Sequence, residues 1–370
     1  MKHSNIVGGS TAKRVMSCPG SVALAQQMPE RLSSSAADEG TLLHDVMASI
    51  LGSDTTLPES LLGKTYEAET FTEELLQEKV LPALAAIDEI DPEQVMQYEV
   101  EQKVAFDADV FGSTDLIGRI GDRAIVLDWK FGRGAVDVEE NHQLLFYAAA
   151  AMNTPETKWA FDGVTEIECV IVQPPSVKRW LTTPDRVRQF ETELKDAVKL
   201  ALTPDAPLAV GDHCKWCPGK PICPKMNNAA VRAVSVDVKT LDAAMINTYL
   251  KNAELLDGWI TDLRALAFKM VSEDGAKLPD FKLVSKRGTR QWANESEARS
   301  ALVALGLKES DITSLLSPAQ AEKVCKKAKV AFPADHAVMV SSGNTLASVD
   351  DPRPEVLQLS KLLSKLEGMV

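Results

Sequence analysis

FGSTDLIGRIGDRAIVLDWKFGRGAVDVEENHQLLFY, residues Phe111 to Tyr147, is the stretch whose reading decides the fold. Its apolar, β-prone runs at 116–120 and 124–127 flank Gly121-Asp122, a dipeptide suited to a tight hairpin turn. Asp115 stands at the head of the first predicted strand, and Asp128 and Lys130 at the tail of the second. A predicted helix begins near 137–140 and carries Gln143 and Tyr147, four apart and so on one face.

The period of a strand places Asp128 and Lys130 on the same face of the sheet. Two carboxylates converging across a hairpin are hard oxygen ligands for Mg²⁺ or Mn²⁺. A neighbouring lysine can orient a water or steady the charge of a reacting phosphate. That combination is what metal-assisted phosphodiester hydrolysis needs. The plainer reading is that Asp128-Trp129-Lys130 simply ends a strand in solvent.

Other features bear on that choice. The chain resembles the PD-(D/E)XK nuclease superfamily in its RecB-like branch, through Gly40-Thr-Leu-Leu-His44, Asp115, Asp128-Trp129-Lys130 and Gln143-Leu-Leu-Phe-Tyr147, in that order. Thr114 stands where that pattern often has proline, and Asp128 where glutamate is commoner. The resemblance implies an α/β, restriction-endonuclease-like core: a mixed central sheet flanked by helices. It implies that His44, Asp115 and Asp128 hold the metal, with the Trp129 carbonyl as a further ligand. Lys130 would position the attacking water, and Gln143 and Tyr147 would orient the motifs or touch DNA. It further implies cleavage that leaves a 5′-phosphate. Without it, His44 among Leu42, Leu43, Val46 and Met47 reads first as a buried, hydrogen-bonded core histidine. An imidazole ligand moves the preference from Mg²⁺ towards Mn²⁺.

At 370 residues the chain has room for two domains and a substantial core. A net charge of −13 argues against a generally basic nucleic-acid surface, though not against a local basic cleft. Three basic groups stand out: Arg119, Arg123, Lys130 and Arg133 near the hairpin; Lys178, Arg179, Arg186 and Arg188; and Lys282, Lys286, Arg287 and Arg290. Each can equally be a solvated face. No secretory signal and no membrane-length apolar run is evident, so a cytoplasmic location is expected.

Along the chain, the first dozen residues read as flexible. A helix is expected at 38–51, another at 71–90 interrupted near Pro82, and a strand at 95–104. On that strand Glu99 and Glu101 read as its polar exterior, with projection to the catalytic face as the alternative. A strand at 166–172 and a helix at 184–202 complete an order of helix, three strands, helix, strand, helix, which suits an α/β core.

Cys214-Lys-Trp-Cys217-Pro-Gly-Lys-Pro-Ile-Cys223 has the spacing C-x2-C-x5-C, which in a reducing compartment reads as a metal site. Cys169 in an apolar strand and Cys325 on a late helix read as small hydrophobes. The fourth ligand is then Cys18, with His213 as the alternative. Spacing leaves structural Zn²⁺ and a [4Fe-4S] cluster both open. AddB and CRISPR-adaptation nucleases of the RecB-like branch share this layout of one cysteine before the core and three after it. That resemblance implies an iron–sulfur cluster on Cys18, Cys214, Cys217 and Cys223.

The nuclease domain is thus expected at 10–228 and a mainly helical domain of unassigned role at 237–370. In the latter, 340–354 reads as a linker and 356–369 as a leucine-rich helix. Trp292 beside Arg290 reads as a hairpin edge with a buried indole or as a nucleic-acid clamp. The whole chain is similar to an uncharacterised phage-associated RecB-like family. That implies a DNA exonuclease of phage replication or recombination, acting in the cytoplasm of an infected or prophage-carrying bacterium. DNA is the expected partner, and a phage single-strand-binding or annealing protein a candidate second one. The rival reading is a noncatalytic iron–sulfur or zinc subunit that binds DNA or scaffolds other proteins.

Overall fold

The computed structural model describes residues 4, 6–29, 33–132, 134, 136–234, 242–306, 316–328, 330–348, 351 and 353–356. It contains two compact units, Met1–Trp259 and Ile260–Val370.

The first unit opens with Ala12–Ser17 (α1), Ser21–Gln26 (α2) and the long helix Ser35–Leu51 (α3). The Ser34 side chain caps α3 by accepting from the Ala37 amide. A small hairpin, Thr65–Tyr66 (β1) with Glu69–Thr70 (β2), leads to Glu73–Leu75 (α4), a π-helical turn over Leu76–Val80, and Leu81–Ile90 (α5). Pro82 comes just after the π-helical turn, whose wider hydrogen-bond spacing accommodates the missing N–H. The expected interruption is therefore a widened turn within continuous helix.

The core sheet follows as Gln97–Ala105 (β3), Phe111–Ile120 (β4) and Arg123–Trp129 (β5). After His142–Asn153 (α6) come Glu166–Gln173 (β6), Ser176–Thr182 (β7), Pro184–Ala201 (α7) and Pro224–Val234 (α8). The five strands lie in the order β3-β4-β5-β6-β7; β5 and β6 are parallel and the other neighbours antiparallel. The β4–β5 hairpin closes with Ile120 opposite Arg123 and Gly121 at φ 57, a conformation suited to glycine. β7 is an addition to the sequence reading. It is an edge strand whose Lys178 and Arg179 interrupt the apolar alternation.

Two apolar layers sandwich the sheet. On one side Leu144, Phe146 and the fully buried Ala148–Ala151 of α6 pack with Val126, Ile167 and Phe190. On the other, Leu42, Leu43, Val46 and Met47 of α3 pack with Leu116, Leu127 and Val170. A fully buried side chain such as Phe146 contributes roughly 2–3 kcal/mol of transfer free energy.

The amino-terminal segment corrects the sequence reading. Val7 is fully buried and bridges Val110, and Gly9–Thr11 form a 3₁₀ turn running into α1. One buried valine in a polar stretch has no periodicity to read, and its partner lies about a hundred residues away.

Ala243–Ser272 (α9) contributes its residues up to Trp259 to the first unit and the remainder to the second. The second unit adds Phe281–Ser285 (β8), Thr289–Trp292 (β9), Glu295–Ala304 (α10), Pro318–Ala328 (α11), Ala337–Val340 (β10) and Asn344–Ser348 (β11). β9 pairs with β10 and β8 with β11, both antiparallel. The supposed linker therefore carries a strand: Ser341-Ser342-Gly343 is a short connection from β10 to β11. Trp292 is taken up by its own unit, donating to the Leu316 carbonyl at 2.7 Å and lying 5.6 Å from the Phe332 ring. The leucine-rich stretch from 357 onward, and Arg133, lie outside the described residues.

Candidate active site

The site lies where the ends of β4 and β5 meet α3 and α6. Asp115 accepts from the Trp129 amide at 2.7 Å through one oxygen and contacts His44 Nδ1 at 3.1 Å through the other. It is thereby fixed by the backbone of one strand and aimed at a side chain of α3. Gly40, one turn before His44, leaves open space: nothing lies within 4 Å of where its Cβ would be.

Asp128 is almost fully buried and sits 2.5 Å from Lys130 Nζ. Gln143 bridges the remaining groups. Its Oε1 accepts from Lys130 at 3.1 Å, while its Nε2 donates to Asp128 at 2.8 Å and to the Tyr147 hydroxyl at 3.0 Å. The Asn141 side chain caps α6 and so sets where Gln143 points. Tyr147 is held in turn by glycine backbone: a Cβ on Gly9 would lie 2.4 Å from its ring, and one on Gly112 3.1 Å.

Glu101 is the residue whose place the strand pattern misassigns. The β3–β4 register pairs Val100 with Leu116 and Gln102 with Thr114, so Glu101 falls opposite Asp115. Its backbone is left-handed, at φ 52. Simple alternation puts Glu101 on the face away from Val100. Instead both turn towards α3: Val100 packs with the α3-side core, and Glu101 joins His44 and Asp115. One ligand atom from each of His44, Glu101 and Asp115 lies within 4.8 Å of the others. A left-handed glutamate costs on the order of 1–2 kcal/mol, and such costs concentrate at functional sites.

The electrostatics agree with a cation site. Burial, and then the Asp115 carboxylate, push the Glu101 carboxyl up to about 7. Burial also raises Asp128, against the pull of Lys130. Burial works against a charged His44, but the Asp115 carboxylate and more distant Asp128 outweigh it and raise the imidazole. Burial raises the Tyr147 phenol, so it stays protonated. An imidazole beside crowded carboxylates is a donor set that a hard divalent ion relieves, so the residues present fit Mg²⁺ or Mn²⁺.

Of the basic residues of the first unit, Lys130 belongs to this site, while several arginines are engaged by other partners. Arg119 donates to the carbonyls of Gly121, Trp159 and Asp162, and Arg123 pairs with buried Glu168 at 3.2 Å. Both tie down the far end of the sheet. Arg179 also pairs with Glu168, Arg186 with Glu140 and Arg188 with Asp185. Arg290 pairs with Glu322 in the second unit.

The four cysteines form a second cluster. Cys18, Cys214, Cys217 and Cys223 are all buried, and none is in a disulfide. The Ala209 amide donates to Cys18 Sγ at 3.3 Å, and Cys214 Sγ meets the Ala209 carbonyl at 3.8 Å. Cys214 and Cys223 pack with Met226. Backbone approach makes this possible: a Cβ on Gly20 would lie 2.5 Å from the Ala206 carbonyl, and one on Gly219 2.6 Å from Leu24. His213 hydrogen-bonds Cys18 and Cys214, which pushes its imidazole up to about 10. Burial raises both thiols, but His213 together with backbone hydrogen bonds more than offsets this and leaves them below the ordinary thiol value. Four buried thiols with cationic neighbours fit a thiolate-bound metal group. Cys169 and Cys325 sit in apolar cores, as the sequence reading expects.

Among solved structures, the chain is similar to the crystal structure of SSO0001, with 16% identity and a TM-score of 0.30, over 61% of this chain and 89% of that one. It is also similar to the crystal structure of an alkaline exonuclease (LHK-Exo) from Laribacter hongkongensis, with 12% identity and a TM-score of 0.23, over 53% and 88%. No helix among the described residues is long and apolar enough to cross a membrane. By the match over residues 3–354, the chain belongs to the family described as "Protein of unknown function (DUF2800)".

Proposed function

We propose that this protein is a metal-dependent DNA nuclease. The observation that carries the reading is the convergence of His44, Glu101 and Asp115 on one point, beside an Asp128–Lys130–Gln143–Tyr147 chain of hydrogen bonds. A divalent ion bound there supplies Lewis-acid charge neutralisation at the scissile phosphate. Lys130, its ammonium held between Asp128 and Gln143, positions the attacking water and steadies the growing negative charge. Tyr147 keeps its proton and holds the Gln143 amide in the orientation that serves both Lys130 and Asp128. A noncatalytic subunit has no use for a lysine anchored in this way.

The finer reading is an exonuclease of phage replication or recombination that leaves 5′-phosphates, with a [4Fe-4S] cluster on Cys18, Cys214, Cys217 and Cys223. Supporting a metal group there, Cys18, Cys214, Cys217 and Cys223 are all buried and none is in a disulfide. The deciding experiment is cleavage of end-labelled single- and double-stranded DNA with Mn²⁺ or Mg²⁺. Product ladders that vanish with EDTA and with Asp128→Asn are expected. No cleavage of either form with either ion would refute the reading.

A further inference from the structure

The cavity that holds the metal-site residues extends well past them. It has a volume of about 680 Å³, with His44, Glu101 and Asp115 in one part of its lining and Lys103, Phe111 and Ser113 in another. Lys103 and Ser113 are direct cross-strand partners, two residues along β3 and β4 from Glu101 and Asp115. At a strand rise of about 3.3 Å per residue, that step is roughly 7 Å. The distance is comparable with one nucleotide of extended backbone.

Lys103 is the one ammonium in this lining, against the carboxylates of Asp45, Glu101 and Asp115. It is exposed, and its Nζ lies 4.6 Å above the Phe111 ring. Among the described residues it has no carboxylate within ion-pair distance, whereas Lys130 is neutralised by Asp128. A cation resting on an aromatic face keeps its full charge available to an incoming anion. The Gly8–Thr11 segment lines the same cavity, as does the Gly40 turn of α3, where a Cβ would meet nothing within 4 Å.

We propose that Lys103, braced by Phe111 and flanked by Ser113, is the subsite for the substrate phosphate next to the one being cleaved. It is a positioning residue for the strand and takes no part in bond breaking. The inference rests on the nucleic-acid reading of the neighbouring site. The attraction is between an ammonium and a phosphodiester, so it is charge-based, salt-sensitive and indifferent to base sequence.

The test is binding of a fluorescent single-stranded oligonucleotide by the full chain, by anisotropy over a salt series with Ca²⁺ present. Lys103→Gln is expected to weaken binding about three- to tenfold at low salt and to reduce the log–log salt slope by about one. Lys103→Arg is expected to bind like wild type, and both variants should melt at the wild-type temperature because Lys103 is exposed. Wild-type affinity and slope in Lys103→Gln overturn the proposal, as does a wild type that binds no oligonucleotide or an Arg variant as weak as Gln. Failure of the nuclease reading looks different: no cleavage with Mg²⁺ or Mn²⁺, while binding that depends on Lys103 persists.

Discussion

Glu101 lies directly across the β3–β4 ladder from Asp115, two acids on adjacent strands that meet His44 of α3 in the lining of one cavity. Like charges in opposing positions destabilise a sheet. The arrangement makes sense when something positive sits between them.

Glu101→Gln should therefore change sign with conditions. In the metal-free protein the folded Glu101 carboxyl is raised to about 7, above its unfolded value of about 4.3. The folded state holds that proton longer, so stability falls as pH rises from about 4.3 through 7. The Gln variant should melt higher than wild type at pH 8 with EDTA and about equally below pH 4. With Mn²⁺ the order should reverse, because only wild type keeps the ligand and gains stability through binding. Melting curves at both pH values, with and without Mn²⁺, decide it.

Asp115→Ala, Asp128→Asn and Lys130→Gln should each reduce DNA cleavage at least about a hundredfold. The Asp128–Lys130–Gln143 hydrogen bonds act as a unit, so a double variant should be scarcely worse than a single one. Circular dichroism separates this from unfolding. Cleavage at the wild-type rate by Asp128→Asn would mean that the site is misassigned.

Two glycines lining the same cavity should respond in opposite ways. Gly9→Ala drives a methyl into the Tyr147 ring and should cost about 1–3 kcal/mol, with a loss of cleavage as Gln143 is released. Gly40→Ala adds a methyl to open space within α3 and should gain up to about 1 kcal/mol of helix stability. Denaturant midpoints that moved the same way for both would contradict this account.

Cys18→Ser should remove the bound metal group and lower the unfolding temperature together. A link from Cys18 to Cys214 closes a loop of roughly 200 residues, worth up to roughly 5 kcal/mol through the unfolded chain. Iron, sulfide and zinc analysis of wild type distinguishes the cluster from a zinc site. The control is Cys169→Ala, because serine there would place a hydroxyl in the apolar core. Full metal content in Cys18→Ser would shift the fourth ligand to His213.

How much of this was legible in the sequence follows from the range of the interactions. The β4–β5 hairpin and α6 were readable because Gly121-Asp122 and the Gln143–Tyr147 spacing are local signals. The Cys214, Cys217 and Cys223 motif was readable because its spacing is chemical, whereas Cys18 is remote from it along the chain. Glu101 was not, because a single left-handed residue reverses the face that alternation assigns. Nor was the role of Val7 and Gly9: their contacts, Val110 and Tyr147, are remote along the chain. The basic residues misled for a related reason, since Arg119 and Arg123 stand close to Asp115 and Asp128 in sequence but serve the opposite end of their strands.

The position of Trp259 bears on how this chain can be dissected. Its indole donates to Asn227, and with Leu255 it lies against Cys214, Cys223 and Met226. A fragment ending at 228, where the cysteine motif is already complete, exposes that apolar patch to water. One starting at residue 10 lacks Val7 and the glycine seated on Tyr147. A self-sufficient piece must retain both flanks, from the Ser4–Thr11 segment through the Trp259 turn of α9. Truncations guided by the motifs alone will look inactive or unstable for reasons unrelated to catalysis.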